Sequence, residues 1–312
     1  MTAFLRWPAA IACTAIAWLF MSMAPAYADQ AAAPAAASED QRLVAFFEEI
    51  FQRNLKDSPI FQAQLGMKGP DYGKWGDFSD AEAIRRNGLV QEDLRRLRAE
   101  FDPTRLSEQA RISYRIFEYL QERSLRNFPW RFHNYSFTTM QNPVTQLATF
   151  MQNIHRVDDV SDAEAYISRL QGVEDTAKYV IEGMDLAAAR GVVPTSYSFD
   201  PVLSDSRNVL TGAPFDGSAT DSAIFADFRA KVGKLGIADA EKERLLAAGT
   251  AALNGPFRRG VEAAIARIES LRAKSPGPHG VWKLPDGAAY YRNQIDFWTS
   301  DPTLTADRVH DI

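Results

Sequence analysis

Apolar residues recur every three to four positions over most of this chain, and that spacing predicts one helix after another. Ser38-Glu39-Asp40-Gln41 fits a capping box, in which the serine and the residue three positions on satisfy each other's backbone donors. Leu43, Phe46, Phe47, Ile50 and Phe51 then mark one helix face, and Asp57-Ser58-Pro59 stops it. Residues 60–78, rich in glycine and carrying Tyr72 and Trp75, read as a loop that packs by its aromatics. Ser79-Asp80-Ala81-Glu82 opens a second helix, with a break offered at Asn87-Gly88 and an end at Phe101-Asp102-Pro103. Ser107 opens a third, with Ile112, Ile116, Tyr119 and Leu120 as its apolar face and arginines and glutamates opposite.

The period then changes. Phe128, Trp130, Phe132, Tyr135 and Phe137 alternate roughly every second residue, which reads as an irregular extended stretch or one hairpin strand. It either lines a ligand cleft or packs into the core. Asn142-Pro143 restarts helix, asparagine as cap and proline at the first helical position. Ser161-Asp162-Ala163-Glu164 reads as another capping box, opening the longest helix. Its inner face carries Tyr166, Leu170, Val173, Ala177, Ile181 and Met184, and it ends at Arg190-Gly191. Residues 192–220 read mostly as loop, with room for a short helix at 205–210. Helices follow over 221–235 and 239–253, then Asn254-Gly255-Pro256 breaks or kinks the chain. The next helix uses Phe257, Val261, Ile265, Ile268 and Leu271 and ends at Ser275-Pro276-Gly277-Pro278. Beyond it come a turn, a short aromatic helix at Tyr290-Tyr291, a second turn, and a helix capped by Thr305 that runs two turns to Ile312. Two turns do not hold alone, so the expectation is a chain building toward something further. The fold class is all-α, a multi-helix array with long irregular loops and no large sheet.

Composition adds an address and removes several chemistries. Residues 1–28 read as an export signal: Arg6, an apolar run from Ala9 to Phe20, and Ala26-Tyr27-Ala28 with cleavage after Ala28. That run is shorter than the roughly 20 residues of a membrane span, so export to the periplasm or exterior is expected, with no membrane contact after cleavage. Residues 29–38 read as a disordered tether and 39–312 as the folded part. Cys13 is the single cysteine and departs with the signal, which excludes disulfides, thiolate catalysis and cysteine metal sites. The formal net charge is −5, and there is no basic cluster to bind nucleic acid.

Candidate chemistry is sparse. His133, His155, His279 and His310 are far apart, and none belongs to an H-E-x-x-H helix, which would put two imidazoles on one zinc. His155 falls at a helix end, where an imidazolium is ordinary C-terminal electrostatics; His279 reads as a solvated turn residue. Glu48-Glu49 and Asp158-Asp159 are adjacent pairs that point to different faces and read as solvated surface. No G-x-S-x-G elbow and no phosphate loop occurs.

An ordered series of motifs says more. It comprises Asp57-Ser58-Pro59 with Leu65-Gly66, Asn142-Pro143 with Gln146-Leu147, the run Asp162-Ala163-x-x-Tyr166-x-x-Arg169-Leu170, and Gly191-Val192-Val193-Pro194. Leu284-Pro285-Asp286-Gly287, Tyr290-Tyr291, Leu304-Thr305-Ala306-Asp307 and His310 complete it. Over residues 40–312 the chain resembles the N-terminal part of the DUF885 family, exported bacterial proteins similar to gluzincin zinc metallopeptidases. The resemblance implies a peptide substrate and, for the full-length family, a zinc ion whose His-Glu and Pro-Gly-His ligand motif lies beyond the His310 region. No zinc ligand and no catalytic residue carries over to this chain, which alone is expected to be inactive. Tyr291 and His310 match family positions near the cleft and are the candidate substrate-binding residues. The alternative is a non-catalytic periplasmic binding or scaffold protein.

Overall fold

The computed structural model describes residues 37–275, 277 and 280–312. The export signal with its cleavage at Ala28, most of the tether, and His279 lie outside the described residues. Among the described residues there is no strand, only isolated bridges pairing Thr138 with Gln141 and Ala213 with Asp221. The all-α expectation holds. No described helix is long and apolar enough to cross a membrane.

The chain divides into two compact units, the first taking residues to Leu55 and Ala83–Arg131, the second Lys56–Glu82 and Phe132–Ile312. In the first unit, helix α1 (Glu39–Lys56) starts at the expected capping box: Ser38 Oγ accepts from the Gln41 amide at 3.2 Å, and Ser38 N–H donates to Gln41 Oε1 at 2.9 Å. The short helix α2 (Pro59–Gln64) follows in the second unit, with proline in its first turn, where the sequence reading had only loop. Helix α3 (Asp80–Glu100) runs unbroken through Asn87-Gly88. One internal glycine costs about 1 kcal/mol, too little to break a helix of this length.

Helix α4 (Glu108–Asn127) is capped by Ser107, but it buries Tyr114, Phe117 and Gln121, and leaves Ile112 and Ile116 in solvent. Both stripes have helical spacing. The larger rings win because they fill the space beside Phe46 of α1: Phe117 lies 6.0 Å from it and Phe101 5.4 Å, centroid to centroid.

The second unit is organised around α6. Residues 128–142 form no strand: Phe128–Trp130 is a single 3₁₀ turn and irregular turns follow, of which Phe137 is fully buried. Helix α5 (Pro143–Asn153) has Asn142 as cap, its Oδ1 accepting from Val144 N–H at 3.0 Å. Helix α6 (Val160–Ala189) begins earlier than the sequence box suggested. Asp159, in extended backbone, is the cap and accepts from the Asp162 amide at 2.9 Å, so Ser161 already lies inside the helix.

Helix α7 (Phe199–Asn208) occupies part of the expected loop, starting several residues before the anticipated short helix. Asn142 Nδ2 donates to Val202 O of α7 and so ties the start of α5 to it. Helices α8 (Ala223–Gly233) and α9 (Asp239–Ala252) match expectation. Residues Leu253–Phe257 form one π-turn with Gly255 off helical geometry, the kink anticipated at Pro256. Helix α10 (Arg258–Arg272) then lies along α6. The approach is close enough that a Cβ on Gly260 would meet Val173 O at 2.8 Å, so only glycine fits there. Helix α11 (Gly287–Thr299) and helix α12 (Ala306–Asp311), the latter capped by Thr305, finish the unit.

Candidate functional site

A buried polar cluster of the second unit forms where the 65–78 loop lies on the first turns of α6. Helical spacing puts Asp162, Tyr166 and Arg169 on one face of α6, all three buried. Among the described residues Arg169 has no carboxylate partner. Its guanidinium donates through Nε to Lys74 O (3.1 Å), through one terminal nitrogen to His155 Nδ1 (3.1 Å) and through the other to Pro59 O (3.4 Å). The rings of Phe150, Tyr72 and Trp75 stand 4.8, 5.2 and 5.7 Å from it. Carbonyl dipoles and aromatic faces thus replace the water that the cation lost, and burial pulls its pKa down to about 10.

That arrangement fixes the state of His155. Nδ1 faces a guanidinium and must accept, so the proton sits on Nε2, which donates to the backbone carbonyl of Asp162 at 3.1 Å. Burial first, and the Arg169 charge second, press the imidazole pKa down to about 3. His155 is therefore a neutral, buried linker, not the charged helix-end group its sequence position suggested.

Tyr72 sits against it, ring centroids 4.4 Å apart; its hydroxyl donates to Arg156 O and accepts from Arg156 N–H. Trp75 Nε1 donates to Arg169 O at 2.7 Å. At the rim, Lys68 bonds both Asp158 (2.6 Å) and the buried carboxylate of Asp162. Burial works against the Lys68 ammonium, and these two carboxylates outweigh it and raise its pKa. Asp158-Asp159, read as solvated surface, thus supplies one ion pair and one helix cap.

A cavity of about 360 Å³ opens beside the cluster, lined by Lys68, Tyr72, Gly73, Asp162, Glu164 and Ser168 among others. Gly73 passes so close to α6 that a Cβ there would come within 3.2 Å of Ala165 Cα. Both nitrogens of His155, the three guanidinium nitrogens of Arg169 and the Tyr72 hydroxyl are already engaged. The cluster is built to hold the loop on α6, and its free capacity is polar binding in the cavity, not proton transfer.

The sequence-predicted residues lie elsewhere in the unit. Tyr291 on α11 is 40% exposed and His310 on α12 is exposed, and no hydrogen bond joins the two. The buried tyrosine of the pair is Tyr290, at 5%, whose hydroxyl donates to Asn134 at 2.7 Å. Burial and the neighbouring Tyr135 push its pKa up to about 12. His133 Nε2 meets Pro285 O at 2.9 Å, so the Leu-Pro-Asp-Gly turn is held by the aromatic 132–137 stretch. That stretch therefore packs more than it lines. Sequence reading flagged the Asp162–Arg169 run and gave His155 a different role, and it missed Lys68 and Asn134, whose roles depend on contacts up to 156 positions away along the chain.

Among the described residues no three His, Cys, Asp or Glu side chains converge to hold a metal ion. The zinc implied by the resemblance has no ligand set in them, and no chemical step is routed through it.

The family model described as "Bacterial protein of unknown function (DUF885)" matches residues 59–312. A comparison with curated proteins finds no match. Two solved structures share the fold. One is "the putative lipoprotein from Colwellia psychrerythraea", with a TM-score of 0.72 and 16% identity over 88% of this chain and 48% of that one. The other, from Shewanella oneidensis, is "a putative lipoprotein of unknown function", with a TM-score of 0.55 and 15% identity over 84% of this chain and 42% of that one. This chain spans about half the length of those it matches.

Proposed function

The chain belongs to the DUF885 family of bacterial proteins of unknown function, and on that premise we propose that it is the helical scaffold part of an exported, zinc-peptidase-like hydrolase. The observation that carries this reading is the half-length match to the solved structures, together with the apolar side chains that α11 and α12 present to solvent, Trp298 and Val309. Exposed apolar surface of this kind suits contact with further protein. Tyr291 and His310, exposed on the same two helices, are the proposed peptide-facing residues. Description of the solved neighbours as lipoproteins supports export, as does the signal-like pattern of residues 1–28. A second reading, an exported non-catalytic binding protein, draws on the cavity between the loop and α6.

Sequencing the gene past codon 312 separates the two. An in-frame extension carrying His-Glu and then Pro-Gly-His supports the hydrolase, and the purified 29–312 chain should then cleave no peptide with or without added zinc. A stop codon at 313, or metal-dependent cleavage by the 29–312 chain alone, overturns the scaffold reading.

A further inference from the structure

The loop over residues 65–78 is held on α6 in two different ways. Its second half is locked. The Tyr72 hydroxyl is bonded to both backbone groups of Arg156, Trp75 donates to Arg169 O, and Lys74 O accepts from the Arg169 guanidinium. The first half has no such anchor. Met67, Lys68, Gly69 and Pro70 are all exposed. Among the described residues, the backbone bonds of segment 67–71 stay within the loop or reach back to α2. Met67 N–H donates to Gln62 O, while Gly69 O and Asp71 O accept from the Tyr72 and Lys74 amides. Gly66, left-handed at φ +75°, makes the turn from α2 into this half.

Lys68 alone carries the segment across to α6. Its ammonium bonds the carboxylate of Asp158 at 2.6 Å and that of Asp162, side chains that are 73% and 4% exposed. Those bonds close over the cavity. Lys68, Gly69 and Pro70 line its loop side, and Ser161, Asp162 and Glu164 its helix side. We propose that residues 67–71 are a lid on this cavity, latched by Lys68 and able to lift while the locked half stays in place. An ion pair with one partner in solvent is weak, whereas buried rings and hydrogen-bonded backbone are not, so the two halves open with different free energies. Lifting returns Lys68 to water and bares the Asp162 carboxylate toward the cavity, so entry depends on the latch. The lid is independent of the hydrolase reading.

Cleavage of the intact chain by a lysine-specific endoproteinase under native conditions tests it. Cutting requires the residues around the bond to leave the fold, so the rate follows the population of the open form. Static exposure and a lid predict opposite orders. By side-chain exposure Lys74, at 67%, should be cut before Lys68, at 29%. A lid reverses this: the cut after Lys68 comes first, and the cut after Lys74 waits for the unit to unfold. Local opening exposes little surface, so the Lys68 cut should change little up to about 1 M urea. Raising salt from about 0.05 to 0.5 M should speed it, measured against a short unstructured peptide. Asp158→Asn removes the exposed half of the latch and should speed the cut about threefold with an unchanged melting temperature. Asp162→Asn should speed it about tenfold; if that variant fails to fold, Asp158→Asn and salt still decide. The lid is overturned if Lys74 is cut as early as Lys68, if the Lys68 cut rises with urea as steeply as global unfolding, or if salt and Asp158→Asn leave its rate unchanged.

Discussion

Acid should destabilise the second unit through His155 before it reaches any carboxylate. In the unfolded chain this imidazole titrates near 6.5; in the fold it stays neutral down to about 3, because burial and Arg169 oppose its protonation. Below 6.5 the unfolded state binds a proton that the folded state refuses, so stability falls as pH drops and levels only near pH 3. The slope is about 1.4 kcal/mol per pH unit. Between pH 7 and pH 5 the loss from this one group is about 2 kcal/mol, and over the whole window it is on the order of 4–5 kcal/mol. The charges acting on the ring, those of Arg169, Lys231 and Lys68, all oppose its protonation, and only the bond to Asp162 O works the other way. Urea unfolding followed by tryptophan fluorescence at pH 7, 6 and 5 reads the effect, with Trp75 reporting because its indole is bonded to Arg169 O. His155→Gln can still accept from Arg169 and donate to Asp162 O, but it cannot titrate. The variant should lose about 2 kcal/mol less than wild type over that range, and taking the difference cancels the other histidines. Equal losses in the two proteins would refute the buried, neutral assignment.

Two further outcomes follow from the same geometry. Arg169→Lys keeps the charge but not the fork that reaches Lys74 O, His155 and Pro59 O. It should destabilise the unit by about 3 kcal/mol and open the 65–78 loop to proteolysis, because buried partners are left unsatisfied; unchanged melting and cleavage patterns would count against the locking role. Tyr290→Phe should cost about 1 kcal/mol and speed hydrogen exchange in α11 by removing the bond to Asn134, whereas Tyr291→Phe should leave both unchanged.

Much of this molecule was legible one segment at a time. The capping box at Ser38, Asn142 with Pro143, the kink at Pro256 and the cap at Thr305 all act within a few residues, so the local sequence carries their physics complete. The motif from Asp162 to Arg169 was visible too, since three residues at helical spacing announce a shared face. What that face meets was not visible. Arg169 finds Trp75 and Pro59 nearly a hundred residues or more away, and Tyr290 reaches Asn134 across 156.

Competition between equivalent patterns was also undecidable locally. On α4 the isoleucine and the aromatic stripes share one period, and only the space beside Phe46 determined which was buried. His155 carries the same lesson in chemical form: its neighbours along the chain suggest a charged helix end, and its neighbours in space make it a neutral buried linker. Backbone hydrogen bonding and capping are set by near neighbours, so the sequence alone determined most of the helices, though not the short α2 or the start of α7. Burial and charge state depend on everything within a few ångströms, and these the tertiary structure decided.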